Sequence, residues 1–293
     1  MRVTAGMLYG NLKRDLELRA AELWESSRVL STGRRIQLPS DDPVAANRIL
    51  ELRRCLSEAE QHLSNVEDAQ GWLKTASVAL VSLADDLQRA RELAVQGSNP
   101  ALPQSSRDAI AREVDQLLSH AVQVGNSCFG DRYVFGGTLT GSPPFVLVAP
   151  DAVVYQGDAG DQWRELAPGV RLKVNLNGAV AFLPACQALA QVARDLRSGD
   201  LASLSGPTLE QVDSALSQVL ADQTEVGARE NRLDLGKNRL LDLKLNLTQQ
   251  LSLAEDADMA EALVECARRQ AAYQAALAAA GRLLERSLLD FLS

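Results

Sequence analysis

Apolar residues recur at helical spacing along most of this chain, and the spacing changes character once. In residues 12–32, Leu16, Leu23 and Leu30 stand seven apart, with Ala20 and Ser27 on the same seam. That predicts a helix, stopped by Thr32-Gly33 and followed by a connector over 34–39. From 43 to 97, Leu52, Leu56, Ala59, Leu63, Val66, Gln70, Leu73, Ala76, Leu80, Leu83, Leu87, Ala90 and Ala94 keep an almost unbroken 3–4 spacing. One helix about 80 Å long is expected there, at ~1.5 Å per residue, ending at GSNPALP. A further helix is predicted over 104–125, with Ile110, Val114, Leu117, Ala121 and Val124 on one face.

The period then shortens. Residues 131–183 hold brief apolar runs (RYVFGG, PFVLV, AVVYQGD, QWREL, VRLKVNL, AVAF) separated by turn residues, which read as strands, with a hairpin turn at Asn177-Gly178. Residues 184–198 read as a helix and SGDLASLSGP as a returning loop. Over 207–253, Val219, Val226, Leu233, Leu240 and Leu247 repeat at intervals of seven. The acids of AEDAD (254–258) interrupt and can cap a new helix. From 259 to 291 the stripe resumes through Leu263, Cys266, Gln270, Tyr273, Leu277, Ala280, Leu284, Leu288 and Phe291.

These elements nest. The expected fold is mainly α with a β-rich insertion: long antiparallel coiled-coil-like helices from both chain ends, plus a small outer β domain. The expected segments are a core helix and connector (1–42), the long-helix domain's first half (43–130), the β-rich outer domain (131–206), the long-helix domain's second half (207–254) and a C-terminal core helix (255–293). Each half carries a stripe with no partner nearby in sequence, so the halves must pair with each other. Burial within residues 259–291 alone does not cover the cost of ordering them, so both termini are expected to be mobile until a partner surface is present.

Composition narrows the function classes. The chain has 293 residues, 46% hydrophobic and 23% charged, with net charge −8. An acidic chain whose arginines alternate with acids lacks the basic face of a nucleic-acid binder. No run of eighteen apolar residues predicts a membrane span, and MRVTAGMLYGNLKRDL lacks the apolar region of a signal peptide. Aromatics are only 4%, usual for long helices.

The candidate chemistry is LPSDDPVAANRIL (38–50), where Asp41 and Asp42 are an acid/base dyad, a metal clamp or a helix start. Ser40, Asp41 and Asp42 are all good N-cap types, their charge suits the positive helix end, and Pro43 suits the first turn. No histidine, cysteine or serine constellation completes a site around them, so the helix-start reading is adopted. Cys55, Cys128, Cys186 and Cys266 are scattered and read as free thiols, and His62 and His120 lack ligand partners at helical spacing. DAGD (158–161) reads as a turn, lacking the ligand spacing of a calcium loop. No catalytic residue, metal or cofactor is expected.

The same residues carry a family resemblance. LSTGRRIQLPSDDPVAANRIL (30–50) resembles the N-terminal signature of the bacterial flagellin superfamily, and Pro39 brings it nearer the hook–filament junction members than filament flagellin. LQRARELAVQGSN (87–99), GDRYVFGGTLTGSPPF (130–145), VVYQGDAGD (153–161), VGARENRLD (226–234), SLAEDADMAEAL (252–263) and LLERSLLDFLS follow in the family's order. Arg34-Arg35 stands where the family often has Gly-Lys-Arg. The resemblance implies a structural flagellar subunit, exported uncleaved through the flagellar type III apparatus, held by an export chaperone, and assembled outside the cell in a ring between the first junction protein and flagellin. Its surfaces would be helix faces: Leu16, Leu23 and Leu30 from one end, and Leu263, Tyr273, Leu277, Leu284, Leu288 and Phe291 from the other. The rival readings are filament flagellin and a cytoplasmic coiled-coil scaffold.

Overall fold

The computed structural model describes the backbone of residues 5–149 and 151–292, and side chains in that range except at 5, 6, 8, 149 and 283–292. The chain runs α1 (Ala5–Thr32), α2 (Pro43–Gly97), α3 (Gln104–Gly125), β1 (Cys128–Phe129), β2 (Arg132–Tyr133), β3 (Phe145–Ala149), β4 (Ala152–Tyr155), β5 (Trp163–Ala167), β6 (Val170–Lys173), α4 (Gly178–Ala181), α5 (Leu183–Ser198), α6 (Leu201–Ser205), α7 (Pro207–Glu255) and α8 (Met259–Leu292). It is mainly α with a β-rich insertion, as the change of period predicts. It divides into two compact units, Met1–Ser57 with Lys244–Ser293, and Glu58–Leu243.

The unit of residues 58–243 is built on the stripe of α2. Val66, Leu73, Leu80, Leu83, Leu87, Ala90 and Ala94 are buried, as are Val219, Val226 and Leu233 of α7. Three cross-links set α7 antiparallel to α2: Lys237 to Glu67 (3.1 Å), Gln70 to Asp234 (2.6 Å) and Arg91 to Asp213 (2.6 Å). A second face of α2, carrying Trp72, Ala79 and Leu93, is buried too. Ile110, Ala111, Val114, Leu118 and Ala121 of α3 belong to the same cluster, with Cys186, Leu189, Val192 and Leu196 of α5. Gly71 makes room for the Phe129 ring of β1, since a Cβ there would stand 2.5 Å from it.

The insertion consists of three antiparallel hairpins. In the second, Phe145 opposes Tyr155 and Val146 opposes Val154; in the third, Trp163 opposes Lys173. The scarce aromatics concentrate here. Phe135 lies 4.5 Å from Phe182 between ring centroids, and Phe145 lies 5.1 Å from Tyr155 and 5.6 Å from Phe182. That spacing is favourable beyond simple burial.

One predicted turn is overturned. Asn177-Gly178 is a helix start, not a hairpin: Asn177 Oδ1 accepts from Ala179 N at 3.0 Å and α4 follows, so the run AVAF is helical where a strand is expected. Gly178 is needed for space, because a Cβ would lie 2.5 Å from the Phe135 carbonyl oxygen.

Candidate assembly surfaces

The predicted helix start separates into two roles. Asp42 Oδ1 accepts from the backbone N–H groups of Val44 and Ala45, each at 3.0 Å, which is N-cap geometry ahead of Pro43. Asp41 turns the other way. Its Oδ2 accepts from Leu38 N (3.0 Å), Gln37 N (3.1 Å) and Arg28 Nη2 (3.2 Å), so it fastens the connector to the end of α1. The backbone N–H groups of Leu38 and Gln37, with Arg28 behind them, hold the Asp41 carboxyl below its usual range. Ser40 is exposed and in a turn. Among the described residues no group of three or more His, Cys, Asp and Glu is placed to hold a metal.

The acid-rich DAGD stretch is an irregular loop rather than a turn, held by its own hydrogen bonds. Asp158 accepts from the Thr138 backbone and hydroxyl and from Gly160 N, and Tyr155 donates to its carbonyl at 3.0 Å. The thiols are unpaired. Cys186 is buried, and burial, with the Asp86 charge behind it, pushes its pKa up to about 12. His120 Nδ1 sits 2.8 Å from Asp86, a carboxylate whose burial raises its pKa.

In the unit formed by the two chain ends, α8 packs along α1. The seam differs from the expected one. Among the described side chains of α8, Ala262, Glu265, Cys266, Arg269, Tyr273, Ala276 and Ala280 are buried or half-buried, while Leu263 (59% exposed) and Leu277 (45%) lie outside the seam. The physical reason is that small side chains let the helices approach and Arg269 supplies the anchor. Its Nη1 donates to the Glu22 carbonyl oxygen at 2.8 Å and lies 3.9 Å from the Glu25 carboxylate. Cys266 Sγ lies 3.8 Å from Ser27 Oγ. Arg268 and Arg269 both hold Glu265 and lower its pKa to about 2. Leu16, Leu23 and Leu30 of α1 are half-buried, and Trp24 (69%), Leu18 (54%) and Met7 (64%) face solvent. The side chains of Leu284, Leu288 and Phe291 lie outside the described residues.

The crossing between these terminal helices and the longer ones joins Arg34 to the acids of 254–258, a pairing that the sequence did not indicate. Arg34 and Asp256 form an antiparallel bridge, with Arg35 N donating to Glu255 O (2.7 Å) and Ala257 N to Gly33 O (2.9 Å). The Glu255 side chain, 4% exposed, receives Arg34 Nε at 2.7 Å and Arg53 Nη2 at 2.5 Å on one oxygen. Ile36, Ala46 and Ile49 form a small core there with Leu251 and Ala254.

Among the described residues, the unit of the chain ends leaves Trp24, Leu18, Leu263 and Leu277 exposed on helix faces, while the unit of residues 58–243 buries a continuous core. The model described as the bacterial flagellin N-terminal helical region matches residues 3–140, and that of the C-terminal helical region matches 209–292. The chain belongs to the bacterial flagellin family. It is 24% identical to flagellar hook-associated protein 3 of Escherichia coli over 94% of both chains. It is 28% identical to the flagellar filament core protein flaB2 of Brachyspira hyodysenteriae, covering 92% of this chain and 90% of that one. Among solved structures, Bacillus cereus FlgL is 28% identical with a TM-score of 0.61, covering 69% of this chain and 99% of that one.

Proposed function

We propose that this chain is a structural subunit of the bacterial flagellum, assembled as a ring at the hook–filament junction rather than along the filament, and that it is not an enzyme. The observation that carries the reading is the end-to-end match to a hook-associated protein, 94% of each chain. The Pro39 form of the connector supports it. Filament flagellin is the second reading, favoured by the slightly higher identity to a filament core protein.

The subunit would leave the cell through the flagellar type III apparatus, with an export chaperone holding the α8 face, and would then meet its own copies, the first junction protein and flagellin. Assembly is the step that buries Leu263, Leu277 and the further stripe Leu284, Leu288 and Phe291, with Leu16, Leu23, Leu30 and Tyr273 completing the surface. Leu277 is 45% exposed in the single chain, so burial elsewhere is its remaining gain.

Electron microscopy of flagella carrying tagged protein tests the location. One labelled band per flagellum at the hook boundary is expected; label along the filament would replace this reading with the second. Leu277→Glu should leave the melting of the packed middle unchanged and abolish attachment of filaments, since an unpaired buried carboxylate costs several kcal/mol. Full-length filaments on cells carrying it would remove this face from the assembly surface.

A further inference from the structure

Within the unit of residues 58–243, helical glycines are of two kinds. Gly71, Gly97 and Gly125 make space: a Cβ would stand 2.5 Å from the Phe129 ring, 2.2 Å from Leu196 and 2.8 Å from Phe145 respectively. Gly227 and Gly236 of α7 do not. A Cβ at either would meet nothing within 4 Å, and neither has a positive φ. Neither crowding nor backbone conformation asks for glycine there, yet each makes the helical state about fivefold less favourable than alanine would.

The same stretch loses half of its apolar seam. Ahead of it α7 buries Val212, Ala215 and Val219, with Leu216 packed beside them. Between Val219 and Leu240 the buried apolar residues are Val226 and Leu233, seven apart. The row that should alternate with them holds Asp222, Glu230, Gly236 and Lys237. Asp222 Oδ2 and Glu230 Oε1 are buried, and among the described residues neither has a hydrogen-bond partner, an arrangement that opposes folding. The side-chain ties of the stretch are otherwise polar. Asp222 Oδ1 accepts from Gln218, Arg229 pairs with Glu225 and donates to the Asn175 carbonyl oxygen at 3.1 Å, and Gln70–Asp234 and Lys237–Glu67 reach α2. Several local rules are thus broken together, in the interior of a long helix rather than at its frayed ends.

We propose that residues 222–236 are an opening segment: a stretch of α7 that leaves and regains its packed helical state on its own, while the helix on either side stays formed. Stability is not uniform across a folded unit, and stretches with few buried apolar contacts open first. The result is a long helix that yields in its middle, so that α7 can change its path without unfolding the unit around it.

Native-state hydrogen exchange of the full chain at pH 7, expressed as protection relative to unfolded peptide, tests this. In the parent, residues 222–236 should exchange ~10-fold faster, or more, than residues 208–219 of the same helix and than the stretch of α2 between Gln70 and Arg91 that faces α7. Urea below the unfolding transition should leave the segment's exchange almost unchanged while the flanks speed up, because a local opening exposes little surface. Gly227→Ala combined with Gly236→Ala should slow the segment about twentyfold, or down to the rate of the flanks, from about fivefold at each site. The proposal is overturned if the segment exchanges at the flanks' rate with the flanks' urea dependence, which would make α7 one uniform helix. It is overturned equally if the double variant exchanges there as fast as the parent, which would leave the two glycines without a part in any opening.

Discussion

The two compact units of this chain reach helical structure by different routes. In the unit of residues 58–243 a continuous cluster runs from Leu63 to Leu240 through α2, α3, α5, α7 and the hairpins. In the unit of the chain ends the buried cluster is Ile36, Ala46 and Ile49, while Trp24, Leu253, Leu263 and Val264 stay more than half exposed. The first unit also leaves Val78, Val148, Trp163 and Leu235 more than half exposed, so the units differ in how large a core they bury rather than in whether apolar residues face solvent. Amphipathic spacing alone does not tell these cases apart, because both stripes obey the same 3–4 rule.

The sharpest way to break the comparison is to cut one large side chain in each unit. Phe182, fully buried between Phe135 and Phe145, should cost about 3–5 kcal/mol as Phe182→Ala, the sum of lost transfer energy and a residual cavity. Leu263→Ala should change thermal stability by no more than about 0.5 kcal/mol, the usual range for a surface position. Denaturant melts of both variants check this. Comparable losses at the two positions would mean that the leucines of α8 are already spent on the single chain.

The helix start gives the next effect in size. Asp42→Ala removes the acceptor for Val44 N and Ala45 N and should cost about 0.5–2 kcal/mol, while Asp42→Asn should be nearly neutral, because asparagine caps as well as aspartate. Thermal melts of the two variants separate capping from any role that needs a charge.

These residues also show what could be read from the sequence. The long helices were legible because their apolar spacing runs for many turns, and α2 begins and ends where Pro43 and the GSNPALP break put it. The α8 seam was misjudged by one position at alternate turns. Leucine dominates a hydropathy pattern, yet the partner helix chose alanines and an arginine. Asn177-Gly178 carried a strong hairpin signal that the crowding around Phe135 and Tyr155 overrode. Asp41 and Asp42 looked alike because their difference lies in Arg28 and the path of residues 37–38. Glu255 left no local trace, since Arg53 is 202 positions away.

The smallest effect, and the one that sharpens the contrast most, is a difference of sign in acid. In the terminal unit Arg268 and Arg269 lower the Glu265 pKa to about 2, below the ~4.3 of an unfolded glutamate. Its contribution is therefore present above ~4.3 and lost as pH falls through about 2. In the other unit burial raises the pKa of Asp222, whose Oδ1 accepts from Gln218 while its buried Oδ2 has no partner. Its charged form opposes folding at neutral pH, and that opposition fades as pH falls through its raised value and is gone below ~3.9. Glu265→Gln should thus speed backbone amide exchange in α8 at pH 7 and match the parent once the pH is near 2. Asp222→Asn should raise the melting temperature at pH 7, read from Trp72 after Trp24→Phe and Trp163→Phe, and match the parent by pH 3. Both variants are compared with the parent at equal pH, so intrinsic exchange rates and the other carboxylates cancel. If Asp222→Asn instead melts lower at pH 7, the carboxylate is paired in solution, and the packed unit holds a polar contact that its buried oxygen does not reveal.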